Sequence, residues 1–208
     1  MMNFEITETT IFRLSIYLRY ITKMKNRGII EISSQDIASA VGVKPAQIRK
    51  DLAYFGRFGT KGVGYDVYEL HHSIVKILGL NKNWSVSLVG CESLGLALSR
   101  YSGFRERGFY INSIFDCDPK KVGRMIQGIE VMPIEKLEKI SKQNRTQIGI
   151  ISDPKFATQT IADSLIRSGV QGIICFTPVA LTVPAEIKLQ IIDLAANLEL
   201  LAYLVQYK

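Results

Sequence analysis

Cysteine and histidine are scarce: the 208-residue chain contains three cysteines and two histidines. Because the number of cysteines is odd and no CxxC pair occurs, neither a disulfide framework nor a zinc site is expected. His71 and His72 are adjacent, so a helix would direct them to different faces and they would make a poor ligand pair. The sequence therefore predicts no metal site.

Long apolar runs are missing as well. No stretch reaches the roughly 18 apolar residues that mark a transmembrane helix. The N-terminus shows no basic segment followed by an apolar core, which a secretion signal would have. With 47% hydrophobic and 22% charged residues, the composition is typical of a soluble protein, and a cytoplasmic location is expected.

Acidic residues are few in one segment of a chain whose net charge is +7. Residues 1–80 hold 11 Lys/Arg and 7 Asp/Glu, a net charge of +4. Residues 44–61 hold five bases and a single acid, Asp51, which is also +4. A clustered basic stretch is typical of nucleic-acid binding. On charge alone, a solvated basic surface remains the alternative.

The first 42 residues predict two helices. Apolar residues at helical spacing indicate a helix over residues 7–25, and a short strand is expected over 29–32. A capping box runs from Ser33 to Asp36 and opens a short helix over 35–41. Gly42 then makes a turn.

A further helix begins near Pro45, a residue that the first turn of a helix tolerates. Its apolar face consists of Ile48, Leu52 and Phe55, and polar or basic residues occupy the other side: Gln47, Arg49, Lys50 and Tyr54. A helix, a glycine turn and a second helix with a basic outer face predict a helix-turn-helix whose second helix reads the major groove of DNA.

Glycine interrupts the chain after this motif. Residues 56–65 contain four glycines and two bases, which cannot continue a helix. A β-hairpin wing against the DNA backbone is the favoured interpretation, and a flexible glycine-rich loop is the alternative. A connecting helix is expected over 66–80, followed by a polar break at 81–83 that we take as the domain boundary.

The second domain is organised around residues 84–118. An apolar run ends at Gly90, a helical pattern containing Gly95 follows, and a second apolar run ends at Asp116, 21 residues after Gly95 (116 − 95). This is the order of the first βαβ unit of a dinucleotide-binding fold, in which glycines form the turn and the distal acid binds a ribose. The second glycine of that fingerprint is replaced by Glu92. The pattern therefore indicates the fold well, but the motif for cofactor binding is incomplete.

The rest of the chain alternates strands with helices, which predicts a Rossmann-like, doubly wound parallel sheet. The expected domains are a winged-helix DNA-binding domain (1–82), a Rossmann-like domain (83–192) and a C-terminal helix (193–208). This last helix is apolar on most of its circumference and therefore needs burial on several sides. Two interpretations of this helix stay open: it docks against a second subunit, or it is a plain core helix.

Several separated motifs resemble the Rex family of redox-sensing transcriptional repressors. They are Arg49-Lys-Asp-Leu52 with Tyr54-Phe-Gly56, Gly59-Thr-Lys-Gly-Val-Gly-Tyr65, Leu94-Gly-Leu-Ala-Leu98, Phe115-Asp-Cys-Asp-Pro119 and Phe176-Thr-Pro-Val179. The similarity extends over nearly the whole chain. It implies a homodimer, with a C-terminal helix swapped between subunits, that binds a palindromic double-stranded DNA operator. NADH would release the operator, and NAD⁺ would compete with NADH.

The sequence pattern and the resemblance together assign residues. The DNA-binding set would be Lys44, Gln47, Arg49, Lys50, Tyr54, Arg57 and Lys61. The NAD(H)-binding set would be Gly90, Cys91, Glu92, Ser93, Leu94, Gly95, Tyr101, Asp116, Asp118, Cys175 and Pro178. Arg19 and Asp193 would form an interdomain pair that changes partners between states.

Departures from the family pattern cluster in the cofactor pocket. Glu92 and Asp153 place two carboxylates where a diphosphate is expected, and Cys175 replaces an asparagine. We expect Coulomb repulsion to weaken NADH binding, and we expect the Glu92 carboxylate to occupy the helix N–H groups as an internal anion.

Two functions therefore stay open: an NADH-sensing repressor, and a family member whose NADH response is weakened or lost. Thiol sensing by Cys91, Cys117 and Cys175 is conceivable, although buried cysteines are common. A dehydrogenase would need a substrate domain and an acid–base pair, and we find neither, so an enzyme is not expected.

Overall fold

The computed structural model describes residues 6–60, 63–153 and 157–207. The chain divides into two compact units, Met1–Lys82 and Asn83–Lys208. Each unit has its own hydrophobic core.

The first unit is mostly helical. Its helices are α1 (Glu8–Asn26), α2 (Ser34–Val41), α3 (Pro45–Ala53) and α4 (Val67–Ile77), and its strands are β1 (Glu31–Ile32) and β2 (Tyr65–Asp66), which pair antiparallel. The core side chains that are almost fully buried include Leu14, Ile21, Ile37, Ile48 and Ile74. All four helices contribute to this core.

Local sequence accounts for the helix-turn-helix formed by α2 and α3. The Ser33 hydroxyl accepts from the Asp36 N–H, and the Asp36 carboxylate accepts from the Ser33 N–H, which completes the predicted capping box. α2 ends at Gly42, whose φ of +74° is the left-handed conformation that glycine adopts at low cost. Pro45 occupies the first turn of α3, where no backbone N–H is needed.

The described residues before and after positions 61–62 approach each other beside β2. Thr60 and Gly64 make an antiparallel bridge, and a Cβ atom added at Gly59 would lie 2.1 Å from the Gly64 carbonyl oxygen. The close approach explains why glycine is needed at position 59. The Thr60–Gly64 bridge lies next to the β1–β2 pair in sequence, and residues 61–62 of the predicted wing lie outside the described part of the chain.

The second unit is an α/β domain. Its strands are β3 (Trp84–Val89), β4 (Phe109–Asp116), β5 (Met125–Ile126), β6 (Ile129–Pro133), β7 (Ile148–Ile151), β8 (Gly172–Cys175) and β9 (Lys188–Ile191). Its helices are α5 (Ser93–Arg100), α6 (Ser102–Arg105), α7 (Leu137–Gln143), α8 (Thr158–Ser168) and α9 (Leu194–Gln206). A 3₁₀ turn, Ile134–Lys136, precedes α7.

These strands form one seven-stranded sheet in the order β5-β6-β4-β3-β7-β8-β9. All neighbours are parallel except β5, which pairs antiparallel with β6. From β3 the chain proceeds to β4 and β6 on one side and then returns to β7 on the other. The predicted doubly wound parallel sheet is confirmed. In such sheets, ligands bind outside the carboxyl ends of the strands at the point where the winding reverses, which here is the end of β3.

Helix α9 has no buried residue within the described part of the chain. Its large apolar side chains are more than half exposed, including Leu198 at 69% and Tyr203 at 60%. One face of the sheet carries an apolar groove of about 340 Å³, lined by residues such as Ile111, Ile148 and Phe176. The prediction of a plain core helix is therefore wrong for the single chain.

Candidate DNA-binding surface and dinucleotide site

Helix α3 presents basic side chains on its outer surface. Arg49 and Lys50 are exposed, and Lys44 is exposed immediately before the helix. Arg49 donates a hydrogen bond of 3.0 Å to the Ser34 hydroxyl. Arg57 is exposed in the glycine-rich segment. Lys61 lies outside the described residues.

Gln47 was predicted to lie on this outer surface, but it does not. It is half-buried, and its amide donates a 2.7 Å hydrogen bond to the Asp51 carboxylate one turn later. Tyr54 ends α3 and is also half-buried. Of the four residues expected on the outer side of this helix, only Arg49 and Lys50 are exposed.

Asp51 is completely buried and accepts hydrogen bonds from three side chains. The Arg13 guanidinium binds it with two N–H groups, at 2.6 Å from Nε to Oδ2 and 2.7 Å from Nη2 to Oδ1. The Tyr17 hydroxyl donates to Oδ2 at 2.7 Å. Burial alone would raise the pKa of Asp51, but the hydrogen bonds from Arg13, Tyr17 and Gln47 outweigh it and hold the pKa below its usual value. Sequence reasoning missed this cluster.

The glycine turn after β3 has the geometry that the fingerprint requires. Gly90 has a φ of +92°, and a Cβ atom added there would lie 2.7 Å from the Cβ atom of Asp153. A Cβ atom added at Gly95 would lie 2.0 Å from the Gly90 carbonyl oxygen. Both positions therefore need glycine: one for the turn and the other for close packing of α5 on the strand.

Asp116 anchors this turn from the end of β4. Its Oδ2 atom accepts from the Cys91 backbone N–H at 2.9 Å and from the Cys91 thiol at 3.0 Å, and Oδ1 accepts from the Asp118 N–H at 2.9 Å. The side chain is only 1% exposed. The Asp116 carboxylate thus holds the backbone of the glycine turn through these hydrogen bonds. Asp118, on the same loop, is half-exposed.

Lys121 joins two carboxylates at this site. Its ammonium lies 2.7 Å from the Glu92 Oε1 atom and 3.3 Å from the Asp116 Oδ2 atom. Burial would lower the pKa of Lys121, but the hydrogen bond to Glu92 and the charge of Asp116 raise it above its usual value. Lys121 was not predicted from the sequence.

The structure corrects the expected behaviour of Glu92. This residue is the N-cap of α5, but its side chain makes no capping hydrogen bond and instead pairs with Lys121. Its φ of −70° is ordinary for any residue, so the backbone at this position does not need glycine. The prediction that its carboxylate occupies the helix N–H groups is wrong.

The cysteines offer little support for thiol sensing. Burial, together with the hydrogen bond to Asp116 and its charge, raises the pKa of Cys91 to about 12. Burial also raises the pKa of Cys117, and Cys175 is fully buried at the end of β8. All three are free cysteines. Because thiolates are the reactive form, the raised pKa values of Cys91 and Cys117 disfavour thiol chemistry near neutral pH.

Three further residues assigned to the cofactor lie beside this turn or after a neighbouring strand: Ser93 and Leu94 open α5, and Pro178 is exposed after β8. Tyr101, also assigned to the cofactor, is not brought to the turn, because it follows the opposite end of α5. Its side chain is 56% exposed and lies edge-on to Phe104, with ring centroids 5.2 Å apart.

The two residues of the expected interdomain pair belong to different units. Arg19 is exposed on α1. The Asp193 carboxylate caps α9 by accepting from the Ala195 and Ala196 N–H groups at 2.9 and 3.1 Å. Their pairing stays a prediction.

Neither a metal-binding cluster nor a membrane-spanning helix is present in the described ranges. No group of three or more His, Cys, Asp or Glu residues is arranged to hold a metal ion there. Over the same residues, no helix is long and apolar enough to cross a membrane.

Family models match both units. Residues 5–53 match the model described as "Putative DNA-binding protein N-terminus", and residues 81–179 match the "CoA binding domain" model. The two matches coincide with the helix-turn-helix and with the sheet that carries the glycine turn.

Similar proteins span nearly the whole chain. It is 58% identical over 203 residues to the redox-sensing transcriptional repressor Rex of Desulfitobacterium hafniense, covering 98% of this chain and 97% of that protein. It is 50% identical to the redox-sensing transcriptional repressor Rex of Carboxydothermus hydrogenoformans, covering 98% of each. The solved structure of RSP with NAD⁺ and operator DNA has a TM-score of 0.90 at 36% identity, covering 96% of this chain and 92% of that one. The structure of RSP with NADH has a TM-score of 0.86 at 34% identity, covering 97% and 94%.

RSP is a Rex-family repressor, and nothing in these comparisons supports a weakened NADH response. With a helix-turn-helix followed by a glycine turn on a doubly wound sheet, and with full-length relatives well above 30% identity, this chain belongs to the Rex family of redox-sensing transcriptional repressors.

Proposed function

We propose that this protein is a cytoplasmic homodimeric repressor that binds a palindromic DNA operator and releases it when NADH replaces NAD⁺. One observation carries the proposal: the same chain combines a basic recognition helix with a glycine turn that is typical of dinucleotide binding. RSP, solved with NADH and with NAD⁺ and operator DNA, supports it.

The residues at the end of β3 fit NAD(H). A Cβ atom at Gly90 or Gly95 would collide with Asp153 or with the Gly90 carbonyl oxygen, so both glycines match those of a dinucleotide fingerprint, and the Glu92 side chain makes no capping hydrogen bond at the N-terminus of α5. A helix N-terminus binds phosphate through its N–H groups and the helix dipole. NADH and NAD⁺ differ in redox state, so a site that distinguishes them reports the reducing state of the cell.

Lys121 offsets the Coulomb repulsion that was expected between Glu92 and a bound diphosphate. Because Lys121 already pairs with Glu92 at 2.7 Å, the negative charge at the second fingerprint position is largely neutralised. We infer that Lys121 also supplies positive charge to the diphosphate. Asp118, which is half-exposed, is better placed for a ribose hydroxyl than Asp116, which is buried and already accepts four hydrogen bonds.

On the DNA side, we infer that Arg49 and Lys50 reach bases and phosphates in the major groove. Lys44, Arg57 and Lys61 would contact the backbone. These roles follow from exposure, charge and position on or beside α3, since Arg and Lys are the usual donors to guanine and to phosphate.

Dimer formation follows from two complementary apolar surfaces. Helix α9 exposes leucine and tyrosine side chains on all sides, and exposed apolar patches of this kind mark interaction sites. The apolar groove on the sheet is an open surface of the same chemistry. We propose that α9 of each subunit packs on its partner, by exchange between subunits.

The test starts with selection of binding sites by the purified protein from a pool of duplex DNA with randomised sequence. We expect an enriched palindrome, bound more weakly when NADH is added and restored by excess NAD⁺. If no sequence is enriched, or if NADH leaves the complex intact while calorimetry detects no NADH binding, the proposal is wrong. Oxidation of NADH by added carbonyl compounds would instead indicate a dehydrogenase.

A further inference from the structure

The carboxylate of Asp51 is the only link between α1 and α3 among the side-chain hydrogen bonds of the described residues. Arg13 and Tyr17 reach it from α1, four residues apart and therefore on one face of that helix. Gln47 reaches it from α3 itself. Four hydrogen bonds between 2.6 and 2.7 Å converge on two oxygen atoms.

Apolar packing alone does not fix how α3 is rotated. Ile48 and Leu52 pack into the same core as Leu14 and Leu18 of α1, but apolar attraction is non-directional. Hydrogen bonds require donor angles near linear, and a two-pronged Arg–carboxylate contact adds geometric specificity. The Asp51 contacts therefore determine which side chains α3 turns outward, including the adjacent Lys50.

The same cluster changes the role of Gln47. A glutamine at this point of a recognition helix would be expected to read an adenine through its amide. Here the amide nitrogen is held at 2.7 Å from Asp51, and the side chain is half-buried. Breaking this contact would remove one of the hydrogen bonds that stabilise a fully buried charge, which is costly.

We propose that Asp51 is a positioning residue that locks recognition helix α3 to α1, and that Gln47 acts as a part of this lock rather than as a base-reading side chain. The inference rests on the proposed function, because it assigns a role within operator recognition. The positioning role also implies that α1 and α3 move together, so that a displacement of α1 also displaces the side chains of α3 that contact DNA.

The two roles of Gln47 predict different specificity patterns. If Gln47 reads a base, Gln47→Ala relaxes the preference at one base pair of each half-site and leaves the others unchanged. If it positions α3, the same variant lowers the preference at every base pair that α3 reads, because the whole helix loses its fixed rotation. Tyr17→Phe, which lies on α1, is then expected to give the same uniform loss.

The experiment compares wild type, Gln47→Ala and Tyr17→Phe in selection from the randomised duplex pool, with affinities for the enriched and for an unrelated duplex. We expect both variants to lose about threefold to tenfold in specific affinity, uniformly over the half-site, with unchanged affinity for unrelated DNA. Gln159→Ala is the matched control. Like Gln47, Gln159 donates to an aspartate four residues later, Asp163 on α8, but it lies far along the chain from α3. This variant should bind the enriched duplex as tightly as wild type does.

Melting temperatures of all variants verify that they are folded, and neither Gln47→Ala nor Tyr17→Phe removes the Arg13–Asp51 pair. A loss confined to one base pair in Gln47→Ala, or wild-type specificity in either variant, overturns the positioning role while the repressor function stands. If the wild-type protein itself enriches no sequence, the repressor function fails and this inference fails with it.

Discussion

Replacing Lys121 by methionine tests the charge balance of the dinucleotide site. Methionine preserves the length of the side chain and removes its positive charge. The ammonium lies 2.7 Å from Glu92 and 3.3 Å from Asp116, and the exposed fractions of the three side chains are 15%, 42% and 1%. The variant therefore leaves one half-exposed and one buried carboxylate without their shared cation.

The magnitude follows from these exposures. The pair with half-exposed Glu92 contributes at most about 1 kcal/mol to stability. Asp116 retains its donors from Cys91 and Asp118, so we expect a total stability loss of about 1–3 kcal/mol. For ligand binding, a hydrogen bond to a charged group is worth about 1.5–3 kcal/mol. Because Lys121 must give up part of its contact with Glu92, we expect the lower end, a loss of about tenfold in NADH affinity.

The assay is calorimetric titration of NADH and NAD⁺ into wild type, Lys121→Met and Glu92→Gln. Both nucleotides contain the diphosphate, so Lys121→Met should weaken them equally and leave their affinity ratio unchanged. Glu92→Gln should strengthen both by about twofold to fivefold, because it removes the anion that competes for Lys121. The neighbouring exposed residue Lys120 provides the matched control, Lys120→Met, which should bind as wild type does. Wild-type affinity in Lys121→Met would refute the role of Lys121 at the diphosphate.

Three further predictions concern the other parts of the molecule. Arg49→Ala should cost about 1–3 kcal/mol on the selected operator at fixed salt, and unchanged binding by the Arg49/Lys50 double alanine variant would rule out α3 as the recognition helix. Truncation before Asp193 removes α9 and should give monomers or aggregates in light scattering; a well-folded truncated dimer would contradict the proposed interface. Asp51→Asn should lower the melting temperature at pH 7. Because the folded state depresses the pKa of Asp51, its contribution is complete above the unfolded value of about 3.9 and is lost as pH falls through the folded value. The variant should therefore show a weaker dependence of melting temperature on pH below about 4 than wild type, and an identical dependence would show that Asp51 is not a stabilising carboxylate.

Local patterns in the sequence predict most of the fold. The capping box at Ser33, the glycine at position 42 and the proline at position 45 each act within a few residues, so the helix-turn-helix can be read directly from the sequence. The glycine turn after β3 is equally local, and its requirement at Gly95 follows from one close backbone contact. Element boundaries shift by one to three residues, as in α4, which was expected over 66–80 and extends over Val67–Ile77, because the ends of helices depend on neighbouring packing.

Polar partnerships between distant residues are not predictable in this way. Arg13 and Asp51 are 38 positions apart, and Lys121 and Glu92 are 29 apart, so no periodicity connects them. One signal was available nevertheless. Asp51 lies beside Leu52 and three residues after Ile48, on the buried face of α3, and an acid on such a face needs a cationic or hydrogen-bonding partner.

The substitution at position 92 shows why a fingerprint should be judged together with its surroundings. A glycine is required where the backbone adopts a positive φ or where a Cβ atom would collide, and Gly90 and Gly95 meet one or both conditions. Glu92 meets neither on the protein side, since its φ is −70°. What the site needs at this position is room and a tolerable charge for an incoming diphosphate. In the proposed site, Lys121 would supply this charge by pairing with Glu92 at 2.7 Å, while the Glu92 side chain makes no capping hydrogen bond to α5. The turn can therefore retain its function with a glutamate at position 92, provided that the lysine 29 residues further along is present.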